Sequence, residues 1–239
     1  MKHRFDFLNL EHKARLQSWG GYILEKSVVI EPSAFVERWR EIQAKSDEPD
    51  DEKLCTASQF STYKLSEDTK RFLKEAGLPA SCSPFLSFDD VKRLPRLWEI
   101  FSPGQWEQKL KDRVAPYIMI GSDDAGNAIC LDESSGGNVV IVDHETLFQK
   151  ESFWSRKKFP GIQPMNQSVQ QLAESLLCHA LYVEKLDELG YSAISETLPE
   201  EPVRWLEAEL TRIDETVGLK GSFWNNEINY TRGLAENRP

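Results

Sequence analysis

Side chains able to do chemistry gather between residues 121 and 149. That stretch holds Asp123, Asp124, Asp132, Glu133, Asp143 and Glu145, and it contains no Lys or Arg. Several carboxylates together suit a metal-dependent hydrolase, because two-metal chemistry is built on such ligands. A phosphoryl transition state also needs a cation, and this stretch supplies none. Asp123, Asp124 and Glu133 further fall where Gly, Asn and Ser mark turns, and acids are frequent at turns for local reasons alone. Asp143-His144-Glu145 is the one place where a His stands among acids. A metal would require further ligands that the spacing does not identify, and a structural His at a strand end is the plainer reading. The same six acids also read as a docking surface for a basic protein, or as groups that solubilise hairpin tips.

The other familiar signatures of catalysis are missing. The chain has no Gly-x-Ser-x-Gly elbow, no Walker loop, no dinucleotide fingerprint and no His-Glu-x-x-His. Gly121-Ser-Asp-Asp-Ala-Gly126 superficially resembles a glycine loop, but it lacks the following Lys-Ser/Thr and puts two acids where phosphate would sit. It reads as a hairpin turn. The four histidines are His3, His12, His144 and His179, and the last lies near the edge of an apolar helical stripe. Cys55, Cys82, Cys130 and Cys178 form no Cys-x-x-Cys pair, so neither zinc nor a redox motif is indicated and reduced thiols are expected. No catalytic residue, no cofactor and no metal is assigned from the sequence.

Charge narrows the partners. Against 29 Lys and Arg stand 39 Asp and Glu, a formal net charge of −10. Binding phosphate backbones or anionic lipid needs the opposite balance, so no nucleic acid and no membrane is expected. Residues 1–15 show no apolar h-region, and no run approaches a membrane span, so a cytoplasmic location is expected.

The elements that must position these residues are legible in part. Over 239 residues a single domain is expected. Tyr22–Leu24 and Val28–Ile30 suggest a hairpin with its turn near Lys26. Pro32 and the stripe Phe35, Val36, Trp39 and Ile42 predict a helix over 32–45. Ser46–Glu52, with five acids in seven residues, predicts an exposed loop. Ser66, Glu67 and Asp68 predict the start of a helix over 67–76, with Gly77 and Pro79 stopping it. Phe85–Phe88 reads as a strand. Residues 91–115 interleave Arg93, Arg96 and Arg113 with aromatics; Glu99, Glu107 and Asp112 dilute that charge, and a structured loop packing on the sheet is expected.

The strongest β signal is three apolar runs, Tyr117–Ile120, Ala128–Asp132 and Val139–His144, separated by turn residues. They predict an antiparallel meander, and their near-continuous apolar character predicts a sheet covered on both faces. Residues 145–165 look irregular. Ser168 with Gln171 marks a capping box ahead of a helix over 169–189. Val203, Leu206, Leu210, Ile213 and Val217 predict another over 201–217. The tail, with Phe223, Trp224, Ile228 and Tyr230, is too aromatic to stay in water.

Taken in order, several of these pieces resemble the SUKH superfamily, which contains bacterial immunity proteins and fungal cell-wall assembly regulators, and within it the fourth bacterial subfamily. The pieces are Phe72-Leu73 with Gly77-Leu-Pro79, Ile120-Gly121, Gly126 before Ile129–Asp132, Gly137 before Val139–Asp143, Asn166-Gln-Ser168 opening a long helix, and Ile213-Asp214 followed by Trp224. They span residues 65–230. The resemblance implies an α+β fold with a central, mostly antiparallel sheet flanked by helices. It implies a bacterial immunity protein that neutralises a cognate polymorphic toxin by direct binding. It transfers no catalytic residue. The partner would be a toxin domain, of which basic nucleases and deaminases are examples. Residues 1–60 read as an N-terminal extension and 145–165 as an insertion. Two other functions stay open at this point: a regulatory scaffold or peptide-binding module, and the metal-dependent hydrolase.

Overall fold

A computed structural model of the chain describes residues 29–44, 53–100, 108–145, 161–191 and 198–236. The fold is α+β. Six strands form one antiparallel sheet in sequential order. They are β3 (Ser81–Cys82), β4 (Leu86–Phe88), β5 (Tyr117–Asp123), β6 (Ala128–Asp132), β7 (Asn138–Val142) and β8 (Ile162–Asn166). A small second sheet pairs β1 (Leu54–Cys55) with β2 (Leu78–Pro79).

Both faces of the large sheet are covered, as the continuous apolar strands require. Ile118, Ile120, Ile129, Leu131, Val139, Ile141 and Met165 point into the main core. There they meet α1 (Pro32–Gln43), α2 (Glu67–Glu75), α5 (Val169–Glu188), α6 (Glu200–Ile213) and α7 (Phe223–Glu236). Ala128, Cys130, Val140 and Val142 point the other way. Their cover is α3 (Leu97–Ile100) and α4 (Gln108–Val114), through Leu97 and Val114. The strict period of two along β6 and β7 thus sorts each run between two apolar layers.

Helix starts follow the predicted signals. Ser66 accepts the Thr69 amide and Ser168 accepts the Gln171 amide. Gly77 has φ +73, and a Cβ there would lie 2.2 Å from the Cys55 carbonyl oxygen. Only glycine lets β1 and the end of α2 approach this closely.

Four expectations are refined. Within 91–115, residues 97–100 and 108–114 are helical and not loop: Leu97 and Val114 are both fully buried against the sheet, which draws these parts of the chain into α3 and α4. Helix α6 stops at Ile213, because Asp214 turns extended (φ −148, ψ 116) and caps a short 3-10 turn, Glu215–Gly218. The aromatic tail is α7, whose Trp224 is wholly buried. Of 145–165, residues 162–165 belong to β8, the edge strand among the described residues, whose Pro164 sits where a missing amide donor is tolerated. Val29 and Ile30 are not in a strand. The rest of the expected 22–30 hairpin, the acidic loop 46–52 and the irregular stretch 146–160 lie outside the described residues. Within the first 60 residues, Ile30, Phe35, Trp39, Cys55, Ala57 and Phe60 belong to the main core.

Candidate functional site

The β-meander places the six acids at its two opposite ends. Tyr117 pairs with Asp132, which pairs with Asn138; Ser122 pairs with Ala128, which pairs with Val142. Asp123, Asp124, Asp143 and Glu145 therefore share one end, and Asp132 and Glu133 the other. At the rise of an extended strand the ends are roughly 15 Å apart. A single catalytic carboxylate cluster of all six is not what this topology builds.

Each end also gives its acids local work. Asp123 accepts the Asn127 amide at 2.7 Å and the Asn127 side-chain amide at 2.9 Å, which closes the β5–β6 turn. Asp143 accepts the Glu145 amide at 2.9 Å. Asp132 accepts the Ser134 amide at 2.9 Å and the Ser134 hydroxyl at 2.6 Å. Glu133 leaves the pool of free negative charge altogether. Arg96 reaches it from the loop before α3, at 3.0 Å, with side chains 22% and 13% exposed. Arg96 also donates to the Ala115 carbonyl at 2.6 Å and lies over the Tyr63 ring, 5.4 Å from its centre. Burial pushes the Glu133 carboxyl up, but Arg96 and the Lys64 amide outweigh it and hold it below the usual range. Asp124 and Glu145 remain exposed.

His144 packs by its ring and backbone onto Asn127, whose side-chain oxygen lies 3.1 Å from Nδ1 and 3.3 Å from the His144 amide nitrogen. This is a strand-end role. Among the described residues, no three His, Cys, Asp or Glu side chains lie close enough together to hold a metal ion.

The strand ends near Asp123 open onto a cavity of about 300 Å³ that the sequence did not disclose. Its walls come from β5, β7, β8 and α7: Asp123, Asn127, Asp143, Gln163, Glu227 and Tyr230 carry its polar chemistry, with Phe223, Ile141 and Asn226 beside them. Residues 223–230 lie far along the chain from the meander, so no local spacing could have linked the two.

Polar residues of the resemblance meet elsewhere, in one buried network. Trp224 donates its indole N–H to the Asn166 side-chain oxygen at 2.9 Å. The Asn166 amide donates to Asp214 and to Ser175, each at 3.2 Å. Asp214, 1% exposed, also accepts from Gln167 (backbone 2.8 Å, side chain 3.0 Å) and from Thr216 (backbone 2.9 Å, hydroxyl 2.8 Å). Burial pushes the Asp214 carboxyl up, yet the Gln167 and Thr216 donors prevail and hold it below the ordinary range. A buried carboxylate with this many donors is a bolt between β8, α5, α6 and α7, because every polar group in it is satisfied. Gly121 is likewise architectural: a Cβ there would stand 2.1 Å from the Ser87 carbonyl oxygen of the neighbouring strand.

No helix among the described residues is long and apolar enough to cross a membrane. Among curated proteins and among solved structures, nothing matches the chain. A family model described as SUKH-4 immunity protein matches residues 37–230. That span runs from α1 through the sheet and the Asn166–Asp214–Trp224 bolt to α7, which is the greater part of the chain, and the protein therefore belongs to the SUKH-4 immunity protein family.

Proposed function

We propose that this protein is a bacterial immunity protein that binds a cognate polymorphic toxin directly, in the cytoplasm, and occludes it without catalysis. The observation that carries this reading is the family match over residues 37–230. The fate of the matching residues supports it: Gly77, Gly121, Asn166, Asp214 and Trp224 are spent on close approach and internal bonding. A scaffold held together from within leaves its loops and strand ends available, and partner recognition belongs there.

The net charge of −10 suits a basic toxin domain, such as a nuclease or deaminase. Long-range attraction would speed its encounter with an acidic surface. Within that surface we assign the first contact to the Asp123, Asp124, Asp143 and Glu145 end of the meander. Asp132 and Glu133 sit at the other end, where turn closure and Arg96 already engage them. We further propose one domain for the whole chain, with no cofactor and no metal. The hydrophobic core running from Ile30 to Ile228 supports that unity.

The test is co-expression. On this reading the neighbouring gene should encode a large secreted protein with a toxic C-terminal domain, and that domain is the candidate. Cells expressing it should survive when this protein is present, and the two should co-purify as a complex. Unimproved survival, with no complex formed, would sink the reading.

A further inference from the structure

We infer that the cavity between the meander and α7 is a receptor for one arginine side chain of a protein partner; this rests on the partner-binding reading above. Four observations converge. The cavity measures about 300 Å³, at the small end of ligand sites, which suits a single side chain better than a free metabolite. None of its lining residues is Lys or Arg, while Asp123, Asp143 and Glu227 bring three carboxylates to it. Phe223 and Tyr230 supply aromatic walls, and Tyr230 is 65% exposed, an apolar area with nothing over it among the described residues. Tyr182 lies near enough for the Glu227 carboxylate to disfavour ionisation of its phenol, and that hydroxyl is buried with no hydrogen-bond partner among the described residues.

Glu227 is the informative member. Its carboxylate is half-buried, and burial pushes its proton affinity up, with no opposing cation among the described residues. A charge kept in that position gains most from an incoming cation. The cation's chemistry follows from the rest of the lining. A metal ion finds no group of three ligands among the described residues. A lysine ammonium would gain from the carboxylates but would use neither the rings nor the side-chain oxygens of Gln163 and Asn226 efficiently. A guanidinium is flat, stacks on an aromatic face and presents a fork of donors to carboxylate and amide oxygens together.

The experiment uses the full chain and small probes: acetyl-arginine amide, acetyl-lysine amide and the uncharged isostere acetyl-citrulline amide. Amide NMR titration should give saturable shifts at Asn127, Gln163, Asn226 and the 223–230 backbone with the arginine probe. The lysine probe should bind about tenfold more weakly, the size of one lost charge-assisted contact. The citrulline probe should leave those signals in place. Glu227→Gln and Tyr230→Ala should each weaken the arginine response while the remaining spectrum stays that of the parent. Equal responses to arginine and citrulline, an undiminished response in Glu227→Gln, or no saturable shift up to about 50 mM would each overturn the assignment. Because no toxin enters this measurement, its failure leaves the immunity reading standing. A failed co-expression rescue would in turn leave the probe result intact.

Discussion

At the scale of single residues, two buried titratable groups set separate limits on stability. Asp214 holds four donor groups from Gln167 and Thr216 besides the Asn166 amide. Asp214→Asn removes the charge and turns an amide NH2, itself a donor, toward those donors. The expected loss is about 3 kcal/mol, the worth of one or two hydrogen bonds to a buried charge, read from urea unfolding at pH 7. Its carboxyl is held low in the folded protein, so the stability it contributes is complete above the unfolded value near pH 4 and fades only as pH falls through the folded one. His179 acts in a higher window. Burial against Tyr182 and Trp224 lowers its imidazole from 6.5 to about 4. The unfolded chain therefore takes up this proton first. Stability is full above about pH 6.5 and declines as pH falls toward 4, by about 2 kcal/mol at pH 5. Glu174 and Glu227, both raised by burial, respond in the opposite sense. The decisive measurement is thus a comparison: His179→Phe should flatten the fall between pH 7.5 and pH 5 that the parent shows in chemical denaturation. Parallel pH profiles would contradict the assignment.

At the scale of elements, the outer cover of the sheet depends on Arg96. The chain bridges from Arg96 to Ile118 of β5, while the Arg96 side chain joins Glu133, the Ala115 carbonyl and the Tyr63 ring. Arg96→Met keeps most of the stem and leaves Glu133 half-buried without its cation. A cost of about 2–3 kcal/mol is expected for that uncompensated charge, together with faster hydrogen exchange in 94–100 and 114–118 than in α5. Double replacement with Glu133→Gln should recover part of the loss, since the orphaned charge is then gone.

The same elements show what a sequence discloses. Strands β5 to β7 and helices α2 and α5 were legible because periodicity, caps and turn residues act over a few neighbours. Both-face burial was legible from the unbroken apolar runs. Arg96 was not, because its partner lies 37 residues away and a basic residue among aromatics looks the same whether it faces water or a carboxylate. The break after Ile213 was invisible for a similar reason. Val217 continued the apolar spacing, and only the donors gathered from Gln167 reveal why Asp214 leaves the helix. The cavity at Glu227 needed strand ends between 123 and 163 and a helix at 223–230 brought together from distant parts of the chain. Resemblance across residues 65–230 reached the family because it reads the order of pieces, which survives even where each piece alone is weak.

At the scale of the whole molecule, the acids form two poles and not one surface, and a binding partner must distinguish them. Asp124 and Glu145 are exposed at the first pole, and within the described residues their side chains are not bonded. At the far pole Asp132 closes its own turn and Glu133 is paired. If the first pole steers a basic toxin, reversing its free charges must act on encounter more than on the formed complex. Asp124→Lys with Glu145→Lys should therefore lower the association rate by about tenfold at low salt, and the deficit should shrink as salt screens it. Dissociation should change much less. Asn138→Lys adds one positive charge, against four units from the two reversals, on the exposed start of β7 at the far pole, and should leave association near that of the parent. Stopped-flow or surface-based kinetics at two ionic strengths read all three. Slowing in proportion to the charge added, one unit at Asn138 against four at the first pole, would mean that net charge alone governs encounter, and a larger effect from Asn138→Lys would move the docking face to the other end of the sheet.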